Sequence, residues 1–253
     1  MGALHEGHAS LVRRARQECA SVAVSIFVNP TQFGPHEDFA RYPRTPDVDL
    51  RLLESLGVDV VIIPDADEMY PAGHVARVTM SGYPARGLEA AARPGHFNGV
   101  ATVVAKLFAI VAAQRAYFGQ KDAQQLAVVR RMVTDLDIDV EVVGCPTVRE
   151  PDGLAMSSRN RYLSPDERRS ATVLYRGLCR AREAWHDGER SPGALRRAIV
   201  GELLLERVVR PEYAAIVHPD TFRIYRGRVD GPALAAVAAR VGTTRLIDNA
   251  SLD

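Results

Sequence analysis

The sequence predicts an α/β protein: a parallel sheet wound with helices over residues 1–147, followed by a smaller α+β domain over residues 148–253. Three observations predict it. Apolar, β-branched runs of strand length alternate with helical stretches through the first part, an order that calls for crossover connections and parallel strands. The pattern changes around Cys145–Arg149, after which two helical stretches come first and three short strand candidates follow. The chain has 253 residues, 47% hydrophobic and 25% charged, ordinary globular values that allow two buried cores.

In order, Leu11, Val12 and Ala15 oppose Arg13, Arg14 and Arg16, which predicts a helix directly after the first eight residues. Ser21 to Val28 is almost wholly apolar and predicts a strand buried on both faces. Asp47 to Leu56 predicts a helix closed by Gly57, with Leu50, Leu53 and Leu56 facing inward, and Asp59 to Pro64 a second buried strand. Met69 to Gly99 carries Pro71, Pro84 and Pro94 and reads as irregular; within it Arg93 to Phe97 is either a flap over a site or a connecting loop. Val100 to Val111 reads as a helix, Arg115 to Phe118 as a strand, Ala123 to Leu136 as a helix and Asp139 to Val143 as a strand. Ser164-Pro165-Asp166-Glu167 is an N-cap, a proline at the first helical position and a capping-box glutamate. It predicts one helix reaching Asp187. A second starts at Ser191-Pro192 and reaches about Val209, and strands are predicted at 213–217, 235–239 and 244–249.

Composition excludes several classes. A net charge of +1 without a basic block argues against a nucleic-acid surface. No apolar run reaches membrane-spanning length and no signal-peptide pattern opens the chain. Cys19, Cys145 and Cys179 follow no paired spacing and read as free, buried thiols in a reducing compartment. The expectation is a cytoplasmic protein with neither a membrane nor a nucleic-acid partner. Basic residues are almost all arginine, and the only lysines are Lys106 and Lys121. A guanidinium cannot replace a compact ammonium at every site, which marks these two.

The chemistry gathers where strands end and helices begin. His5 and His8 stand three apart around Gly7 at the opening of the first helix, where converging N–H groups and the helix dipole favour phosphate. Two imidazoles there can donate to phosphoryl oxygens as charge develops. Gln32 lies in the loop after the first strand, the edge at which open α/β sheets bind ligands, though Asn-Pro-Thr-Gln also reads as a simple turn. Gly119-Gln120-Lys121-Asp122 is a second phosphate-friendly corner with Gln124 and Gln125 in the next helical turn. Ser157-Ser158-Arg159 opens the second domain.

These residues carry a resemblance. Met-Gly-Ala-Leu-His-Glu-Gly-His looks like the HxGH signature of the nucleotidyltransferase superfamily, and Met156-Ser157-Ser158-Arg159 like its second, KMSKS-like signature. With 27–33, Tyr42 to Thr45, Arg93 to Phe97, Phe118 to Asp122 and Asp152 to Asn160 added, the chain resembles the pantoate–β-alanine ligase family over essentially its whole length. The resemblance implies a Rossmann-like nucleotidyltransferase domain, and a strand before the glycine motif that this sequence does not contain. It implies ATP-dependent condensation of pantoate with β-alanine through a pantoyl adenylate, with Mg²⁺ accompanying ATP and a homodimeric assembly. By position, it implies that His5, His8 and Lys121 are catalytic. Met1, Gly2, His5, His8, Gly119, Gln120, Lys121, Asp122, Val148, Met156, Ser157, Ser158 and Arg159 would contact ATP, and Gln32 and Gln125 pantoate and β-alanine. The sequence departs from the family pattern at Ala90, Gln120 and His218. Two other readings stand beside this one: another adenylate-forming nucleotidyltransferase, or a binding-only remnant that lacks its first strand.

Overall fold

The computed structural model describes residues 2–35 and 37–253. The chain divides into two units. One holds the chain up to Gln120 together with Gln124–Pro146, and the other holds Lys121–Ala123 with Thr147–Asp253. The main run of the second unit begins at Thr147. Three residues far upstream nevertheless belong with the second.

The first unit runs α1 (Glu6–Glu18), β1 (Ala23–Ser25), a 3₁₀ turn (Pro30–Gln32), α2 (Pro46–Ser55), β2 (Val60–Ile62), α3 (Ala66–Met69), α4 (Leu88–Ala92), α5 (His96–Val111), β3 (Arg115–Gly119), α6 (Ala123–Asp135, its first residue carried by the second unit) and β4 (Glu141–Cys145). Its strands form two parallel pairs, β1 with β2 and β3 with β4. Among the described residues β1 pairs only with β2, which corrects the expectation of strands buried on both faces. Ala23 is exposed, and Val60 and Ile63 are about half exposed. In α2 the inward positions are Asp49, Leu53 and Leu56, whereas Leu50 is 39% exposed. Two of the three predicted inward positions hold, Leu53 in the helix and Leu56 at its C-cap, while a buried carboxylate, Asp49, takes the place expected for Leu50. The core is apolar α5 against α6 and β3, with Val100, Val103, Phe108, Val129 and Met132 buried. A smaller cluster of Val12, Ala15, Ile26 and Leu53 lies under α1.

The second unit contains α7 (Pro165–Ser170), α8 (Val173–His186), α9 (Pro192–Leu203) and an antiparallel sheet of β5 (Val209–Val217), β6 (Leu234–Val241) and β7 (Thr244–Ser251), with β6 central. The predicted helix from Ser164 to Asp187 is broken between α7 and α8. There the Thr172 hydroxyl bonds back to the Arg169 carbonyl at 2.8 Å and turns the chain. The next helix stops at Leu203, short of the expected Val209, because Val209 already pairs with Val241 in the sheet. Strand β6 is nearly all alanine and valine, and these small residues let both faces be covered. Leu174, Leu178, Leu195, Ile199 and Ile216 are fully buried against it. Each contributes about 2 kcal/mol of transfer free energy. Gly177 lets α8 and α9 close up, since an added Cβ would sit 3.0 Å from the Ile199 carbonyl oxygen.

Candidate active site

Two consecutive residues before α1 have left-handed backbone, Gly2 at φ +105° and Ala3 at φ +50°. That turn brings two N–H groups to one acceptor. The Ala3 amide donates to Asp49 Oδ2 and the Leu4 amide to Oδ1, both at 2.8 Å. The Thr45 hydroxyl donates to Oδ1 at 3.1 Å. Asp49 is 1% exposed.

His5 is the N-cap of α1. Its Nδ1 accepts from the Gly7 amide at 3.1 Å, and His8 Nδ1 accepts from the His5 amide at 3.3 Å, a capping box built from two imidazoles. The rings lie 4.1 Å apart, tilted by 46°. An Nδ1 that accepts carries no proton, so this hydrogen-bond pattern assigns the N–H of each neutral ring to Nε2. Capping therefore sets the tautomer and leaves each ring with its donor on the edge away from the helix backbone.

Gln32 ends the 3₁₀ turn and is buried. Asn29 governs it. The Asn29 Oδ1 accepts from the Thr31 amide, the Thr31 hydroxyl and the Tyr70 hydroxyl at 3.2, 2.9 and 2.8 Å, while Nδ2 donates to Gln32 Oε1 at 3.3 Å and to the Gly99 carbonyl at 3.2 Å. Asn29 thereby fixes the orientation of the Gln32 side-chain amide. The Gln32 carbonyl is held in turn by His96 Nδ1 at 2.8 Å and Arg93 Nη2 at 3.3 Å. Arg93 reaches Glu37 with Nε at 3.0 Å and His96 Nε2 with Nη1 at 3.1 Å. Arg93 to Phe97 thus includes the start of α5 and clamps the Gln32 turn, with His96 buried and Arg93 mostly covered rather than on the surface.

Burial of His96, helped by the Arg93 charge, lowers its pKa to about 4, against weaker opposition from the Gln32 carbonyl, Glu37 and Glu89. Burial would raise the Glu37 carboxyl, but the Arg93 hydrogen bonds and charge outweigh it and hold the group below its usual value. His96 therefore enters the fold neutral, while the unfolded chain takes up its proton near pH 6.5. Stability from this site is complete above about pH 6.5 and is lost as pH falls towards 4. The full loss is on the order of 3 kcal/mol. Urea midpoints measured from pH 7.5 to 4.5 should show a steeper fall for the native chain than for His96→Gln. Equal slopes would mean that His96 does not supply the dependence.

On α6, Gln124 rather than Gln125 is the buried amide. Its Oε1 accepts from the Glu89 amide at 3.1 Å, and Nε2 donates to the Pro84 carbonyl at 2.9 Å and to those of Arg86 and Gly87 at 3.3 Å. It holds the loop before α4, and Ala90 sits inside that helix. Gln125, the next residue of α6, is half-buried. Gly119 closes β3, and Gln120 begins the one-turn 3₁₀ segment Gln120–Asp122 that leads into α6.

In the second unit the Lys121 carbonyl accepts from Asn249 Nδ2 at 2.9 Å, which ties the lysine's backbone to β7, and Lys121 Nζ lies 3.9 Å from Asp122 Oδ1. Val148 and Met156 face each other through the Met156 N–H to Val148 carbonyl bond at 3.0 Å. The Ser157 hydroxyl caps the 3₁₀ helix Ser158–Tyr162 by accepting from the Arg159 amide at 3.3 Å, and Ser158 is buried. Arg149 anchors this turn. It bonds the Gly153 carbonyl at 3.0 Å, pairs with buried Asp248 at 2.6 and 3.0 Å, and stacks on Tyr175 at 4.2 Å. Met1, also expected at the site, lies outside the described residues. Sequence reasoning passed over Asp49 and Asn249, read Asn29 only as part of a turn, and named Gln124 beside Gln125 without telling the two apart. Only Asp49 left a signal, an acid on the apolar stripe of a helix.

Parallel strand pairs, a first helix opened by two histidines, and a separate α+β unit carrying a Met-Ser-Ser-Arg turn agree with the nucleotidyltransferase resemblance read from the sequence. The family profile described as Pantoate-beta-alanine ligase matches residues 1–251. A pantothenate synthetase of Acidobacterium capsulatum is 60% identical over 253 residues, covering 100% of this chain and 84% of that one. That of Chloroflexus aggregans is 58% identical over 252 residues, covering 98% and 90%. A crystal structure of the Thermus thermophilus enzyme superposes with TM-score 0.96 at 54% identity, covering 100% of this chain and 91% of that one. A Francisella tularensis pantoate–β-alanine ligase, complexed with beta-gamma ATP and β-alanine, gives TM-score 0.80 at 34% identity, covering 100% and 87%. The chain belongs to the pantoate–β-alanine ligase family and is a ligase. None of these relatives points to a binding-only remnant or to a different nucleotidyltransferase.

Proposed function

We propose that this chain joins pantoate to β-alanine in a reaction driven by ATP. The observation that carries the reading is the histidine capping box at the start of α1, within a chain whose family match runs from residue 1 to 251. A pantoate carboxylate oxygen attacks the α-phosphorus of ATP, the bond to the bridging oxygen breaks, and pyrophosphate leaves. The β-alanine amine then attacks the acyl carbon, loses a proton, and AMP leaves with the carboxyl oxygen. His5 and His8 donate from Nε2 to phosphoryl oxygens as charge builds. Lys121 adds an ammonium, and Ser157, Ser158 and Arg159 bind phosphate through hydroxyl, amide and guanidinium groups. Gly2, Gly119, Gln120, Asp122, Val148 and Met156 line the nucleotide. The Gln32 amide, oriented by Asn29, binds pantoate together with Gln125. No protein nucleophile is needed, since positioning of the reactants supplies up to roughly 7–11 kcal/mol in favourable cases.

Among the described residues no group of three or more His, Cys, Asp or Glu side chains gathers to hold a metal. Mg²⁺ in this reading would accompany ATP and supply positive charge to its phosphates. Among the described residues no helix is long and apolar enough to cross a membrane. A homodimeric, cytoplasmic enzyme is part of the same proposal.

Purified protein with ATP, Mg²⁺, pantoate and β-alanine should release AMP and pantothenate in equal amounts, and omission of either acid should stop AMP release. AMP formed equally well with an unrelated acid would overturn the assignment of substrates.

A further inference from the structure

We infer that Asp49 is a positioning residue for adenyl transfer: from α2 it fixes the left-handed turn before α1 and thereby aims the His5 and His8 donors. The inference rests on the proposed role of those histidines at the phosphates. Both Asp49 oxygens are used on consecutive amides, those of Ala3 and Leu4, at 2.8 Å each. Leu4 is joined directly to the N-cap His5, so no flexible residue separates the clamp from the imidazoles. The clamp also holds a conformation the chain does not favour, because Ala3 sits at φ +50°. A non-glycine residue there is strained and persists only where its surroundings over-determine it. The surroundings are specific. Ala3 and Asp49 are both buried, the Thr45 hydroxyl orients the carboxylate at 3.1 Å, and Gly2 has Ile26 and Asp49 within van der Waals reach of an added Cβ. An acid placed on the apolar stripe of α2, where leucine would stabilise the core more, is accounted for by this turn. With the amides released, Ala3 is free to return to negative φ, which swings the start of α1 and both rings. A donor moved by about 1 Å loses its alignment with a developing charge, and such misplacement costs up to about a hundredfold in rate.

Single-turnover quench-flow separates positioning from mere structure. Asp49→Asn keeps size but turns an N–H₂ towards one of the two amides. It should slow the rate constant for pyrophosphate release from ATP and pantoate at least about tenfold, with the amplitude kept. The rate constant for β-alanine attack on the adenylate already formed should stay within about twofold. A lower amplitude at an unchanged rate constant means that Asp49 only supports folding and overturns the inference. So does an equal slowing of both steps, or no change in either. Thr45→Val, which leaves the carboxylate but removes its orienting hydroxyl, carries the test if Asp49→Asn gives no folded protein. It should slow the first step a few-fold, and an unchanged rate constant overturns the inference. His5→Ala is the control. If it leaves the first step untouched, the reading of the histidines has failed. If His5→Ala is slow and Asp49→Asn is not, only the role of Asp49 has failed.

Discussion

Gly99→Ala is expected to cost about 1–3 kcal/mol of stability and to reduce turnover up to about a hundredfold. The new methyl carbon would lie 2.3 Å from the Thr31 carbonyl oxygen, 2.6 Å from its carbon and 2.8 Å from Gln32 Cα. All three are backbone atoms of the 3₁₀ turn, so no side chain can rotate out of the way. Alanine is the better helix former by about 1 kcal/mol, and α5 is a helix, so propensity alone favours the substitution. The collision outweighs it, because α5 must move off the turn. The movement also pulls apart the Asn29 contact to the Gly99 carbonyl and the His96 and Arg93 contacts to the Gln32 carbonyl. The turn that orients the Gln32 amide is then no longer fixed. A thermal melt together with kcat and KM for pantoate checks this, and an unchanged melt with full activity would sink it.

His5→Ala is expected to lower kcat by about a hundredfold to a thousandfold, the usual cost of removing one donor to a developing oxyanion. It should lower stability by only about 1 kcal/mol, the value of an N-cap. His5→Asn separates the two jobs. Asparagine is among the best N-caps, so its side chain can take over from Nδ1 as the acceptor for the Gly7 amide. It carries no counterpart of the Nε2 donor edge. The melting temperature should return while kcat does not. Recovery of turnover with asparagine would show that His5 is only a cap.

The elements were largely legible from periodicity and cap chemistry, as Ser164-Pro165 and the alternation of apolar runs illustrate. The misses have physical causes. The β1 and β2 strands are short and half-covered because each has a single pairing neighbour among the described residues, and composition does not count neighbours. The break between α7 and α8 follows from one hydroxyl bonding backwards at Thr172. The histidines, Gln32 and Lys121 stood out because their residue types match the chemistry. Asn29 did not because its local bonds to Thr31 and Gln32 look like an ordinary turn, while Gln124 and Asn249 work on backbone groups across tens of residues, as in the bond from Asn249 to Lys121. No local spacing records such a contact. Asp49 was the exception that could have been caught, since a carboxylate at an inward position of a helix needs a partner to justify it.

Lys121–Ala123 belong with the second unit, and this constrains how the chain can recombine. The chain passes from one unit to the other at 120/121, back at 123/124, and over again at 146/147. A single recombination point at 147 would bring a foreign Lys121 loop up against the recipient's Asn249 and β7. Chimeras between relatives should therefore keep activity only when the short loop and the C-terminal unit come from the same parent. This couples the drift of three residues in mid-chain to that of a strand more than a hundred positions away.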